Sequence, residues 1–349
     1  MTYPCFISLL MRTNDLRKIQ ILKLGIGLIG MIMFGGIAGC GQSETTEQAI
    51  EAAYETGTLS FGTGTENSMV HQAGIAIAGV INNTVPGIHA AVETTKGSMI
   101  NATNISEGDL DLALVYGDVA YDAFHGLYGF EGKTLENLRV LGACYQEVSG
   151  WMALEKTELK AVHDLKGAII SSGPAASSTE LASYRVFELL GINGENTEIY
   201  TDSLTNSVEH IKRETADAVH AFSIVPFRAH EALAAEYETK VLEYTTEELE
   251  QIVQMDERYF ITTIPAETYR GQEEAVPTFG IKVLLCASDE MDEDLAYEIA
   301  KALDLNGPVY TGGHRFMASM QDKSFLCNEL PIPLHAGAEK YYQEVGFIK

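Results

Sequence analysis

Strand-like and helix-like stretches alternate along most of this chain, and each strand empties into a loop of glycine, serine or threonine before the next helix. That order limits the fold more than any other feature, because parallel strands need crossover connections whose helices cover the sheet. Residues 59–62 (LSFG) read as a strand, and residues 63–68 break it. Met69, Ala73, Ile77, Val80 and Ile81 then recur at helical spacing, with Asn67 or Ser68 as the cap. Strands over 88–92 and 110–116 follow, with a helix over 98–106 between them. The second half repeats the grammar: strand 168–171, loop 172–178, helix 179–190 stopped by Gly191, strand 216–225 and helix 227–237. The pattern predicts two α/β lobes, 58–151 plus 278–349 and 152–277. Two extended stretches, 138–154 and 278–287, are the expected crossings between them.

The chain has 349 residues, 46% of them hydrophobic, enough for more than one core. Ahead of the body, Arg12, Arg17, Lys18 and Lys23 precede an uncharged apolar run, 24–39, too short for a typical spanning helix and ending in Ile37-Ala38-Gly39-Cys40. This predicts an export signal over 1–39. The quartet resembles a bacterial lipobox, in which Cys40 is acylated after cleavage and anchors the protein to the membrane from outside. Residues 40–57, polar and acidic, read as a flexible tether.

Lys and Arg total 23 against 49 Asp and Glu, a net charge of -26. A polyanion would be repelled, so nucleic acid is excluded as a partner. Cys144 and Cys286 sit in apolar stretches and read as small buried hydrophobes, and Cys327 leaves an odd number with no C-x-x-C spacing. The scattered histidines give no metal-ligand spacing, and no phosphate-loop, hydrolase-elbow or dinucleotide fingerprint is present. No metal, cofactor or catalytic residue is expected.

Ligands of doubly wound sheets bind where strand ends meet helix starts. Gly64, Thr65, Asn67 and Ser68 form one such junction, Lys96 and Ser98 a second, and Ser177, Ser178 and Thr179 a third; together they predict a cleft lined with neutral donors that suits a carboxylate. His71 stands on the first helical turn. Tyr116 and Tyr145 are candidate ring walls, and Ser223 and Pro226 end a strand of the second lobe. Lys96 is the candidate cation for a ligand carboxylate, while Glu66 or Asp118 would meet an ammonium group.

Several stretches resemble the TAXI-type substrate-binding proteins of TRAP transporters. They are Gly62-Thr63-Gly64-Thr65, Gly97-Ser98 with Asn101, residues 106–113 (SEGDLDLA), 118–123 (DVAYDA), 164–167 (DLKG), 177–180 (SSTE), 262–269 (TTIPAETY) and 332–342 (IPLHAGAEKYY). The resemblance implies a two-lobed periplasmic-binding-protein-like fold of type II, with hinged lobes and a central ligand cleft. It also implies capture of a small organic acid or amino acid, glutamate-like or dicarboxylate, and its delivery to TRAP membrane subunits. The chain departs from the family pattern in three places: Val70 and His71 stand where two tyrosines are usual, Lys96 replaces a glycine, and residues 174–179 replace a glycine-rich turn. A binding lipoprotein of an ABC importer or sensor is the alternative. An enzyme and a scaffolding lipoprotein are more distant readings.

Overall fold

The computed structural model describes residues 54–349, apart from 67 and 176. The export signal, Cys40, most of the tether and Asn67 lie outside the described residues. Residues 54–57, assigned above to the tether, belong instead to the packed body: Tyr54 is buried in the core, its hydroxyl donates to the Pro86 carbonyl, and Gly57 opens the first strand. A single aromatic ring was enough to override the polar composition around it.

The first half contains β1 (Gly57–Gly62), α1 (Met69–Thr84), β2 (Ile88–Glu93), α2 (Ser98–Glu107) and β3 (Leu112–Tyr116). β1 pairs in parallel with β2 on one side and β3 on the other. After α3 (Gly117–His125) and the 17-residue β4 (Leu138–Leu154), the pattern recurs. There β5 (Ile169–Ser171), α4 (Ser178–Leu190), β6 (Glu198–Tyr200), α5 (Leu204–Lys212) and β7 (Ala218–Ser223) follow, with β5 between β6 and β7 in parallel. Next come α6 (Arg228–Glu236), β8 (Thr239–Val241), α7 (Thr246–Met255), β9 (Phe260–Ile264) and the 13-residue β10 (Val276–Ser288). The chain closes with α8 (Glu293–Leu305), α9 (Gly307–Gly313), α10 (Lys323–Cys327) and α11 (Ala336–Glu344).

All ten strands share one sheet in the order β2-β1-β3-β10-β4-β7-β5-β6, with β8 on β4 and β9 on β10. β1 and β5 are therefore the switch strands of two matching halves. The crossing strands expected from sequence are β4 and β10, which pair antiparallel from Gly280 with Val148 to Ser288 with Leu138.

Alternation along β10 sorts the core into two faces. Phe279, Ile281, Val283 and Leu285 point to the front, which is covered by α1, α8 and α11 over the first half and by α4 and α7 over the second. Leu284 and Cys286 point to the back, under α2 and α3, while α5 and α6 cover the back of the second half. On both crossing strands the packing partners change in mid-strand. Up to Tyr145 on β4, and from Val283 on β10, side chains join the first-half core; from Val148, and up to Ile281, they join the second-half core. Gln146, Glu147 and Lys282 stand at the seam. Cys144, Cys286 and Cys327 are buried free thiols, in keeping with the sequence reading of the first two as small hydrophobes.

Candidate functional site

Strand direction locates the site. β3 runs antiparallel to β10 and β10 antiparallel to β4, so β1, β2 and β3 run the same way as β4; β7 and β5 run against it. The carboxyl ends of the two halves therefore point at each other. Tyr116, the last residue of β3, pairs with Val283, which pairs with Tyr145, and Ser223, the last of β7, pairs with Val148. The two strand ends meet the crossing strand about three residues apart, roughly 10 Å along it.

The loops after the switch strands are built alike. Ser68 caps α1 by accepting from the His71 N–H at 3.2 Å, and Ser177 caps α4 by accepting from the Glu180 N–H at 3.2 Å. A Cβ on Gly64 would stand 2.7 Å from the Ser68 hydroxyl, and Gly173, at φ +86, has the Thr179 side chain pressed against it. Both turns depend on glycine, the first because its backbone lies against the capping serine and the second because of its positive φ and the Thr179 side chain packed on it. Both helices cover the front face, so their starts and Glu147 share one side of the sheet.

Glu147 is nine-tenths buried and accepts from the Tyr116 hydroxyl at 2.9 Å. Burial pushes its carboxyl up to about 7, against the lowering effect of that hydrogen bond, with the negative charge of Asp118 adding to the rise. Asp118, on the first turn of α3, is itself raised, chiefly by desolvation; its Oδ1 accepts from the Val119 N–H. Tyr145 is fully buried on the same face, and its hydroxyl has no hydrogen-bond partner of normal geometry. Further into the second half, Ser149 bonds His220 Nε2 at 2.8 Å and the Tyr244 hydroxyl at 2.7 Å, and His220 Nδ1 meets Ser183 at 2.6 Å. Burial brings His220 down to about 3, so this enclosed network stays neutral and acts as structure.

A model of the NMT1-like family matches residues 61–346. The chain belongs to the NMT1-like family. Its architecture is similar to a TctC solute-binding protein from Polaromonas, solved without ligand, at 11% identity and a TM-score of 0.54, over 77% of this chain and 88% of that one. A periplasmic aliphatic sulphonate-binding protein from Escherichia coli aligns more loosely, at 14% identity and a TM-score of 0.46, over 83% of this chain and 84% of that one. The expected two-lobed, periplasmic-binding-protein-like fold is thus the observed one.

Within this NMT1-like chain the sequence candidates separate into three groups. Gly64, Thr65, Ser68, Ser177 and Ser178 lie on the two switch loops and the helix starts they lead into, with Tyr116 and Asp118 at the end of β3 and Ser223 at the end of β7. Three others hold the framework. Asn101 is fully buried and donates to the Thr63 and Leu114 carbonyls at 2.7 and 2.8 Å, tying β1 to β3. Thr179 accepts from the Phe222 N–H at 3.1 Å, and His71 bonds the Thr63 hydroxyl at 3.0 Å. Pro226 follows a cis peptide beyond β7. Ser98 starts a back-face helix, where its hydroxyl accepts from the Tyr116 N–H, so two rather than three of the expected helix starts share Glu147's face. Lys96 is exposed, its side chain lining a groove with Met99, Ile100 and Glu131.

Glu147 itself was missed. The signal was present: it is the one charge in residues 140–154, an otherwise apolar and neutral run. It adds a buried carboxylate to the neutral donors that the sequence led one to expect between the strand ends.

Proposed function

We propose that this chain is the extracytoplasmic solute-binding protein of a TAXI-type TRAP transporter. In this reading it captures a small organic acid or amino acid by hinge closure and hands it to the membrane subunits. Cys40 is its lipid anchor, the lobes are 58–151 plus 278–349, with 54–57 joined to the first, and 152–277, and the hinge lies where Gln146, Glu147 and Lys282 interrupt the core. The observation that carries the reading is the pair of serine-capped switch loops aimed at each other across residues 145–148. Helix starts offer unpaired N–H groups and partial positive charge to a solute carboxylate. Contact with both lobes would stabilise the closed form by the solute's differential affinity for it. No bond of the solute is made or broken in this scheme.

Thermal-shift screening of the purified full chain with amino acids and dicarboxylates tests the proposal. A solute that binds only the folded state raises the melting temperature with concentration by mass action. A flat response to every solute would refute it. A gene for a fused TRAP carrier subunit beside this one supports the transporter assignment, and an ATPase gene there would move the protein to an ABC importer.

A further inference from the structure

Resting on the solute-binding reading, we infer that the solute carries a cationic nitrogen, an ammonium or amidinium, that docks on the Glu147 carboxylate beside the Tyr116 and Tyr145 hydroxyls. Nothing in the resemblance or the family assignment places a ligand on this residue.

Three observations carry the inference. Glu147 spends one hydrogen bond, to Tyr116, on a carboxylate that can accept about four. Among the described residues no ion pair reaches it. Burying an anion with so little compensation is costly, and such groups are normally paired with a cation. The second observation is independent of charge. The Tyr145 hydroxyl is sealed from solvent and its one hydrogen-bonding neighbour is the Tyr116 hydroxyl, at poor geometry, while the charge of Glu147 acts on it from nearby. A donor arriving at Glu147 gives that oxygen something to accept from. The third concerns the alternatives within the protein. Arg258, the cation that Asp118 senses, is already shared between Asp256 and Asp122, Arg185 is shared between Asp256 and Glu188, and Lys282 faces the opposite side of the sheet. Glu147 and Asp118 thus stand near the seam, and among the described residues the ion pairs and hydrogen bonds of these three cations all lie with other groups. The missing charge is left for the solute. Among the solutes proposed above, this selects those bearing an amine over dicarboxylates.

The test uses the purified full chain and matched pairs that differ in the nitrogen: L-glutamate against 2-oxoglutarate, L-leucine against 4-methyl-2-oxopentanoate, and γ-aminobutyrate against succinate, with putrescine and L-arginine added. Melting shifts rank the panel, and calorimetry gives the affinities of the best pair. The expected result is that the tightest solute bears the nitrogen and binds at least tenfold better than its partner. Glu147→Gln should shrink that ratio at least tenfold, and Tyr145→Phe should weaken binding of the amine by threefold or more. A nitrogen-free solute as the tightest binder, or an unchanged ratio in Glu147→Gln, overturns the inference while leaving the solute-binding reading in place. No melting shift from any solute overturns both. If Glu147→Gln fails to fold by near-ultraviolet circular dichroism, the pair ratio in the unaltered chain and the Tyr145→Phe result still decide.

Discussion

Glu147 and Lys282 occupy neighbouring positions on the paired crossing strands and face opposite sides of the sheet. Both are buried, both carry charge in a seam between cores, and they are handled in opposite ways. The ammonium of Lys282 donates to the Phe325 and Asn328 carbonyls at 3.1 and 2.7 Å and sits between the Phe260 and Phe325 rings, with centroids at 4.8 and 4.7 Å. A cavity of about 290 Å³ opens beside it on the back. Lys282 is held by the chain itself; Glu147 has a single protein partner and capacity to spare. Lys282 places two of its three donors on carbonyls and lies between two rings, so it stitches a framework together, whereas a carboxylate with a single partner marks a place where a further molecule belongs.

Removing the Lys282 ammonium should have the larger effect on folding. Lys282→Ala strips two buried carbonyls of their donor and leaves a void between two phenyl rings. Relief of the desolvation that burdens the ammonium offsets part of this. The net loss expected in urea unfolding at pH 7 is about 3 kcal/mol, with solute affinity retained by the folded fraction. A folded variant with normal stability would show that Lys282 is as dispensable as a surface charge, and the contrast with Glu147 would collapse.

The second prediction uses pH to separate the two. Burial lifts the Glu147 carboxyl to about 7 from an ordinary value of 4.5. Between those values the folded chain keeps a proton that the unfolded chain has lost, so this group's contribution falls as pH rises from 4.5 to 7. Burial brings Lys282 down to about 8 from 10.5, so between those values the unfolded chain holds the extra proton and stability rises with pH. The two costs overlap near pH 7–8. Glu147→Gln keeps an acceptor for Tyr116 and removes the charge, so the solute-free variant should be more stable than the parent at pH 8 by about 2 kcal/mol. The gain should vanish near pH 4. Equal stability of variant and parent at pH 8 would mean that water already solvates Glu147 well.

How much of this was legible in the sequence follows from where its signals were local. Helix starts and stops were readable because caps act within four residues: Ser68 and Gly191 stand where expected, Gly191 takes the left-handed conformation at φ +63, and α4 starts at Ser178, one residue ahead of the expected 179, with Ser177 as its cap. The crossing strands were readable from sustained apolar runs. The three-residue strands β6 and β8 were not read, since each holds a charged residue and no apolar run, whereas the equally short β5 was read from its adjacent isoleucines. For the site, the switch loops were found because glycine and hydroxyl residues mark them locally. Glu147 was passed over because its meaning is tertiary: only the turning point between two cores distinguishes it from a charge at a strand's exposed edge. Lys96 shows the converse, a charge beside a promising loop whose side chain leaves for solvent.

The smallest expected effect compares the two switch loops themselves. Ser68 and Ser177 make the same bond to the third helical N–H, at the same length, in two halves with the same strand order. Ser68→Ala and Ser177→Ala should therefore each cost about 1 kcal/mol, the usual worth of a serine cap. Their surroundings are not identical. The Ser177 hydroxyl also donates to the Pro174 carbonyl at 2.6 Å, holding the turn from within, while the Ser68 hydroxyl stands 2.7 Å from where a Gly64 Cβ would be and relies on that glycine's missing side chain. Losing Ser177 frees one more backbone acceptor than losing Ser68, so its cost should be the greater by a few tenths of a kcal/mol. Paired chemical-denaturation curves for the two variants measure that difference. A larger loss at Ser68 would show that the tight turn at Gly64, rather than the hydroxyl's second bond, sets the stability of these loops.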